Sequence, residues 1–110
     1  MKKVLIILCL SFMLCACSNE FNDFDVKKIM SENEYIIVDV RTSEEYKESH
    51  LKDAINIPYD QLNNTLDKDK IIFVYCRSGT RSKIAYDTLI KLGYNVYDLG
   101  AFEEIDLPKS

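Results

Sequence analysis

The residues best suited to chemistry form one short stretch, Cys-Arg-Ser-Gly-Thr-Arg-Ser, at positions 76–82. The stretch follows an apolar run and precedes a segment with helical spacing. A cysteine beside a glycine and two arginines predicts an anion-binding loop with a nucleophile at its base. The thiolate is the reactive form of cysteine, and an ordinary thiol with a pKa of about 8.5 is mostly protonated at neutral pH.

The loop itself can favour the thiolate. Its N–H groups and the start of the following helix offer donors and partial positive charge. Gly79 lets the backbone curl because it has no Cβ, and Arg77 and Arg81 add charge that could hold an anionic substrate. Thr80 and Ser82 are expected to contribute mainly amides, and Ser82 could also bond the sulfur or cap the helix. Such a loop suits a persulfide or a phosphocysteine.

Spacing helps to separate these two intermediates. Cysteine-dependent phosphatases use Cys-x5-Arg, but the residue six positions after Cys76 is Ser82. Arg81 comes one position earlier, and the smaller ring suits one sulfur atom better than a tetrahedral phosphate. A free cysteine is often only a buried apolar residue, but the glycine and arginines that follow Cys76 argue against that alternative.

The elements around the loop predict an α/β fold. Strands are predicted from apolar character at residues 35–40, 54–57, 71–75 and 95–99. Helices are predicted at residues 26–30, 42–46, 60–66 and 82–92. Thr42 and Glu45 form a capping box, and Gly93 suits the position after a helix end. Apolar strands alternating with helices imply a parallel sheet covered on both faces, with ligands bound beyond the carboxyl ends of its strands. Cys76 lies at such an end.

The first residues predict an export signal. Two lysines precede an uncharged run at 4–16, which is shorter than the roughly 20 residues that span a bilayer. The run ends in Leu-Cys-Ala-Cys at 14–17, which resembles the lipobox of bacterial lipoproteins, although Cys15 departs from the usual residue type. The resemblance implies cleavage before Cys17 and lipidation of Cys17. An uncleaved anchor and an ordinary signal peptide are the alternatives.

This pattern divides the chain into a signal peptide (1–16), a lipidated cysteine with a tether (17–23) and a domain (24–110). We expect the domain to be exported and anchored to a bacterial membrane, on the periplasmic or extracellular face of the cell envelope. Cys9 and Cys15 would leave with the signal peptide, so Cys76 would be the remaining free thiol. A lone thiol excludes an internal disulfide.

Composition narrows the function further. The 110 residues, with 47% apolar and 29% charged side chains, are typical of one small globular domain. A formal charge of −4 argues against nucleic acid as a partner. No cluster of His, Cys and acidic residues has the spacing of metal ligands, so we expect no metal and no cofactor. We expect a monomer.

From about residue 24 to 105, the chain resembles a single-domain rhodanese. The matching pieces, in family order and spacing, are VDVRTSEEYKESHL (38–51), DAINIP (53–58), VYCRSGTRS (74–82) and LGYNVYDLGAF (92–102). The resemblance implies a rhodanese-like fold, a mostly parallel five-stranded sheet flanked by helices on both faces. Sulfur-transferring members have a six-residue active-site loop, here 76–81, and relatives acting on phosphate or arsenate have one residue more.

The resemblance implies a sulfurtransferase that moves sulfane sulfur from a donor such as thiosulfate to a thiol or cyanide through a Cys76 persulfide. The persulfide would lie in the loop formed by Arg77, Ser78, Gly79, Thr80, Arg81 and Ser82. The alternatives are a non-catalytic binding or sulfur-carrier module, and a phosphatase or arsenate reductase. Cys-x4-Arg spacing and the lack of a resolving cysteine disfavour the last pair.

Asp39 and Arg41 match the family's Asp-x-Arg at a strand end. They orient the active-site loop, reach the substrate or form a salt-bridged scaffold pair. His50 matches the family's Gly-His-Ile position, where we expect packing or hydrogen bonding and not a catalytic base. Ala101 and Ile105 replace a Gly and a nearby Trp that many members have, which predicts a short C-terminal helix and a more open pocket wall.

Overall fold

The computed structural model describes residues 23–110. Its regular elements, in chain order, are α1 (Asp23–Glu32), β1 (Tyr35–Asp39), α2 (Ser43–Glu48), β2 (Ile55–Asn56), β3 (Ile71–Cys76), α3 (Thr80–Lys91) and β4 (Val96–Ala101). Single 3₁₀ turns occur at Tyr59–Gln61 and Phe102–Glu104. The predictions of a signal peptide at 1–16 and of lipidation at Cys17 lie outside the described residues.

The strands form one parallel sheet in the order β2-β1-β3-β4. This confirms the predicted α/β fold with a parallel sheet. Residues 23–110 supply four strands, and a fifth, which the family resemblance implies, is not among them. The central strand β3 is buried at all six positions because both faces of the sheet are covered.

Side chains of β3 alternate between two apolar clusters. On one face, Phe73 and Tyr75 pack with Val26 of α1 and with Phe102. On the other face, Ile72, Val74 and Cys76 pack with Ala85 and Leu89 of α3. Because successive side chains of a strand point to opposite faces, one apolar run holds together both layers of helices. The helices therefore cover both faces of the sheet, as predicted.

The helices are short and well terminated. Thr42 and Glu45 form both hydrogen bonds of the predicted capping box at the start of α2. Gly93, with φ +94°, follows the end of α3 in the left-handed conformation that glycine adopts without strain. Within residues 23–110, no helix is long and apolar enough to cross a membrane.

The prediction of a helix at 60–66 was wrong. Only the 3₁₀ turn Tyr59–Gln61 forms there. Just beyond it, the Asn63 carboxamide oxygen accepts hydrogen bonds from the backbone N–H and the hydroxyl of Thr65, at 3.1 and 2.7 Å. Such local side-chain bonds compete with helical backbone bonds and favour a turn.

Candidate active site

The active-site candidate begins at the carboxyl end of the most buried strand. Cys76 is the last residue of β3, is 0% exposed and is a free thiol. Its Sγ accepts a hydrogen bond from the backbone N–H of Gly79 at 3.0 Å. The sulfur thus lies under a loop that curls over it.

The curl depends on Gly79, which has φ +103° and directly precedes α3. The first N–H groups of α3 have no intrahelical partners, and no side chain caps this helix start. The Ser82 hydroxyl donates to the Gly79 carbonyl at 3.1 Å and fastens the loop to the helix. Of the two roles considered for its hydroxyl, bonding the sulfur and capping the helix, Ser82 shows neither in this geometry.

The outer surface of the loop is open. Arg77, Ser78 and Thr80 are exposed. Arg77 has no ion-pair partner within the described part of the chain, and its side chain lines a cleft of about 300 Å³ together with Phe102 and residues of α2. The carboxylates of Glu45, Glu48 and Glu103 line the same cleft, so an anion that approaches Arg77 also meets negative charge.

Arg81 differs from Arg77, because its guanidinium is paired with a carboxylate of the same domain. Nη1 and Nη2 donate to the two carboxylate oxygens of Glu45 at 2.9 and 3.2 Å. The Arg81 hydrogen bonds, with help from Thr42, lower the pKa of the Glu45 carboxyl to about 2. The same pairing raises the pKa of Arg81. The ion pair joins the start of α2 to the first turn of α3.

Asp39 and Arg41 form a buried ion pair after β1. Nη2 of Arg41 donates to Asp39 Oδ2 at 2.6 Å, and Nε donates to Oδ1 at 2.9 Å. Nη2 also donates to the Ser49 carbonyl at 2.7 Å. Burial acts to lower the pKa of Arg41, but the hydrogen bond and charge of Asp39 outweigh it, and the net pKa is raised. The geometry is that of a scaffold pair, while one side of Arg41 still lines the cleft beside Arg77.

Tyr75 completes this network. Its hydroxyl donates to Asp39 Oδ2 at 2.8 Å and accepts the backbone N–H of Leu51 at 3.0 Å. Burial raises the pKa of the phenol, so the hydroxyl remains a donor to the carboxylate. The sequence indicated only that Tyr75 belongs to the apolar strand predicted at 71–75.

His50 packs against Tyr46 of α2. Its ring stacks on Tyr46 at a centroid distance of 3.8 Å, and Nδ1 lies 2.8 Å from the Tyr46 carbonyl oxygen. These contacts are the packing and hydrogen bonding that we expected for His50. Among residues 23–110, no three His, Cys, Asp or Glu side chains converge in the manner of metal ligands.

A second, larger cleft flanks the loop. It has a volume of about 560 Å³ and lies between the segment after β1, the 3₁₀ turn at Tyr59–Gln61 and Arg81. The sheet thus brings together two predicted groups, the Cys76 loop and the Asp39–Arg41 pair, with a cleft on each side. Glu45 is the site residue that the sequence did not indicate beyond its capping role.

Comparisons with known proteins agree with this fold. Residues 24–106 match the rhodanese-like domain family. The thiosulfate sulfurtransferase PspE of Escherichia coli (strain K12) is 35% identical over 78 residues, covering 66% of this chain and 75% of the relative. A probable molybdopterin-synthase adenylyltransferase of Porphyra purpurea is 46% identical over 70 residues, or 56% of this chain. The chain matches only 18% of that relative's length.

A solved structure shows the same similarity. The structure of a rhodanese with anions from E. coli matches with a TM-score of 0.63 at 33% identity. The match covers 69% of this chain and 96% of that chain. The similarity therefore spans nearly the whole of the other protein.

Proposed function

This chain belongs to the rhodanese-like domain family, and on that premise we propose that it is a sulfurtransferase whose Cys76 carries sulfur as a persulfide. The observation that carries the proposal is the Cys76 sulfur beneath the loop, 3.0 Å from the Gly79 nitrogen, whose N–H it accepts. Uncapped N–H groups at the start of α3 would face the charge on a second sulfur. Similarity to PspE supports the same reaction class.

The proposed reaction has two steps, as nucleophilic catalysis with a covalent intermediate requires. The Cys76 thiolate bonds to the outer sulfur of thiosulfate, the donor's S–S bond breaks, and sulfite leaves with the electron pair. Cyanide or a thiolate then bonds to the outer sulfur of the persulfide, which returns Cys76 to the thiolate. No oxidant is needed, and the charge is conserved in each step.

We also propose that the domain is exported and held at a bacterial membrane through lipid on Cys17. The support is the N-terminal pattern of two lysines, an uncharged run and the Leu-Cys-Ala-Cys segment. With Cys17 modified and residues 1–16 removed, the acceptor thiol must come from another molecule. Membrane fractionation tests this: Cys17→Ala is expected to move the protein out of the detergent-extracted membrane fraction.

Mass spectrometry of the intact domain tests the sulfurtransferase assignment. After incubation with thiosulfate and removal of excess donor, we expect the mass to rise by one sulfur atom, and cyanide to remove the gain and release thiocyanate. Cys76→Ser is expected to abolish both the adduct and the turnover. Thiosulfate:cyanide activity retained by Cys76→Ser would refute the proposal.

A second candidate function is a sulfur-carrier or non-catalytic binding module. It is supported by the burial of Cys76 and by the similarity of this domain to a small part of a larger adenylyltransferase. The same experiment separates the two. A stable adduct without thiocyanate release would identify a carrier, and no adduct with thiosulfate or a hydropersulfide would identify a binding module.

A further inference from the structure

The Glu45–Arg81 pair has features beyond those of an ordinary surface ion pair. Its two hydrogen bonds are parallel and bidentate, and each side chain is only about a quarter exposed, at 22% for Glu45 and 26% for Arg81. Glu45 Oε1 also accepts the backbone N–H and the hydroxyl of Thr42, at 3.0 and 3.1 Å. The bonds from Thr42 therefore fix the orientation of the carboxylate independently of Arg81.

This pairing changes the charge that a donor meets at the loop. Arg81 lies in the first turn of α3, near enough to Cys76 that the thiolate, after the larger effect of Glu45, also raises the pKa of Arg81. Yet both terminal nitrogens of its guanidinium point to Glu45 and are neutralised by it. Arg77 is then the loop arginine left without a partner in the described residues. A doubly charged oxyanion binds best to a guanidinium that is free to make two bonds.

We propose that Glu45 is a positioning residue that holds the Arg81 guanidinium away from the Cys76 sulfur and so favours donors with little charge over dianionic ones. The inference rests on the proposed function and specifies its donor. The favoured class is the hydropersulfide, R–S–SH, and thiosulfate is a weaker donor. In the transfer step, the Cys76 thiolate bonds to the terminal sulfur, the donor's S–S bond breaks, and R–S⁻ leaves with the electron pair. The proton remains on the transferred sulfur.

Glu45→Gln tests the proposal with little disturbance of the fold. Glutamine keeps the length of the side chain and an oxygen that can accept from Thr42, but it removes the charge that holds Arg81. We expect the KM for thiosulfate to fall about tenfold, the effect of one charge-assisted hydrogen bond. The ratio of kcat/KM for thiosulfate to kcat/KM for a hydropersulfide without carboxylates, such as 2-hydroxyethyl hydropersulfide, is expected to rise about tenfold, because a donor with less charge gains less from the released guanidinium.

The matched control is Glu44→Gln. Glu44 is exposed, lies in the same first turn of α2, and carries the same charge without contacting Arg81. It is expected to leave the KM for thiosulfate unchanged. If the two substitutions lowered the KM equally, the cause would be the loss of a negative charge anywhere near the loop, and the proposal would be overturned. The double variant Glu45→Gln, Arg81→Gln is expected to lose the gain, because the released guanidinium is absent.

Binding without turnover separates this inference from the proposed function. In a Cys76→Ser background, calorimetry with thiosulfate is expected to show about tenfold tighter binding when Glu45→Gln is added. If sulfur transfer occurs but this affinity does not change, the positioning role is overturned and the sulfurtransferase assignment stands. If the affinity rises but no donor transfers sulfur, Arg81 is withheld as proposed and the sulfurtransferase assignment fails. Thermal melting of each variant shows that it is folded.

Discussion

Two neighbouring strands end side by side in this molecule, and the segments that follow them are built in opposite ways. Asp39 at the end of β1 is paired in register with Tyr75 of β3, one residue before Cys76. At this end of β1, Asp39 and Arg41 are 0% and 5% exposed, and both carboxylate oxygens of Asp39 accept hydrogen bonds from within the fold. After β3, Arg77 and Ser78 are exposed and the loop curls around a sulfur atom.

The difference separates a scaffold from a binding site. Charges removed from water must be fully paired, since a buried charge that loses its partner costs several kcal/mol. The Asp39–Arg41 pair meets that demand and has no bonding capacity of the carboxylate left for a substrate. The Cys76 loop instead presents backbone donors and a free guanidinium at the surface. We therefore expect ligands to bind at the segment after β3, and the segment after β1 to be rigid.

The largest effect is expected from breaking the buried pair. Asp39→Asn leaves the Arg41 guanidinium buried without its countercharge, and should lower the free energy of unfolding by about 3–5 kcal/mol. Urea denaturation monitored by circular dichroism measures it, with Asp69→Asn at an exposed carboxylate as the control. A loss below about 1 kcal/mol would show that the pair is not the scaffold described.

A smaller loss is expected from Tyr75→Phe. The substitution removes the hydroxyl that donates to Asp39 and accepts from Leu51, so a buried N–H group loses its partner. We expect the free energy of unfolding to fall by about 2 kcal/mol. Tyr35→Phe, at a side chain that is 40% exposed, should have little effect. The two variants can be compared in the same urea titration.

Two glycines allow the same backbone strain to be introduced either within the candidate site or outside it. Gly79 and Gly93 both have positive φ, +103° and +94°, at the two ends of α3. Alanine at either position should cost about 1–2 kcal/mol of stability. Gly79→Ala should also lower sulfur-transfer activity per folded molecule, since it redirects the N–H that bonds Cys76. Equal activities for Gly79→Ala and Gly93→Ala would contradict the assigned loop.

The smallest effect is an acid dependence of stability. The pKa of Glu45 is lowered to about 2 in the folded protein, from an ordinary value of 4.5. A lowered carboxyl pKa contributes stability that is present above pH 4.5 and is lost as the pH falls towards 2. The contribution should be about 1 kcal/mol, because the pair is partly exposed. Wild type and Glu45→Gln should differ in urea midpoint at pH 7 and converge near pH 2.

Local sequence patterns predicted much of this fold. The apolar runs at 35–40 and 71–75 predicted strands, and the structure has β1 and β3 there. Continuous apolar runs are typical of strands in a parallel sheet, because helices cover both of its faces. The capping box at Thr42 was readable since its partners are three residues apart. The segment 60–66 misled because its spacing allowed a helix while Asn63 favoured a turn.

The site was predicted less completely. Cys76 and Gly79 were indicated by the loop they share, and the structure places the Gly79 N–H on the sulfur. The Glu45–Arg81 and Tyr75–Asp39 contacts each join residues 36 positions apart. Such contacts depend on the register of the strands and on how the helices pack. The spacing of residues along a short segment predicts neither. The sequence did indicate that the capping box fixes the Glu45 carboxylate at the start of α2. It did not indicate that this carboxylate also contacts α3.

The burial of all six positions of β3 has a consequence for hydrogen exchange. Amide protons of a central strand exchange with solvent mainly through global unfolding, whereas those of an exposed loop exchange through small local openings. Cys76 lies at the border of these two classes, with β3 before it and Arg77 and Ser78 after it. The amide of Cys76 is therefore expected to exchange slowly with the rest of β3, and the amides of Arg77 and Ser78 are expected to exchange quickly.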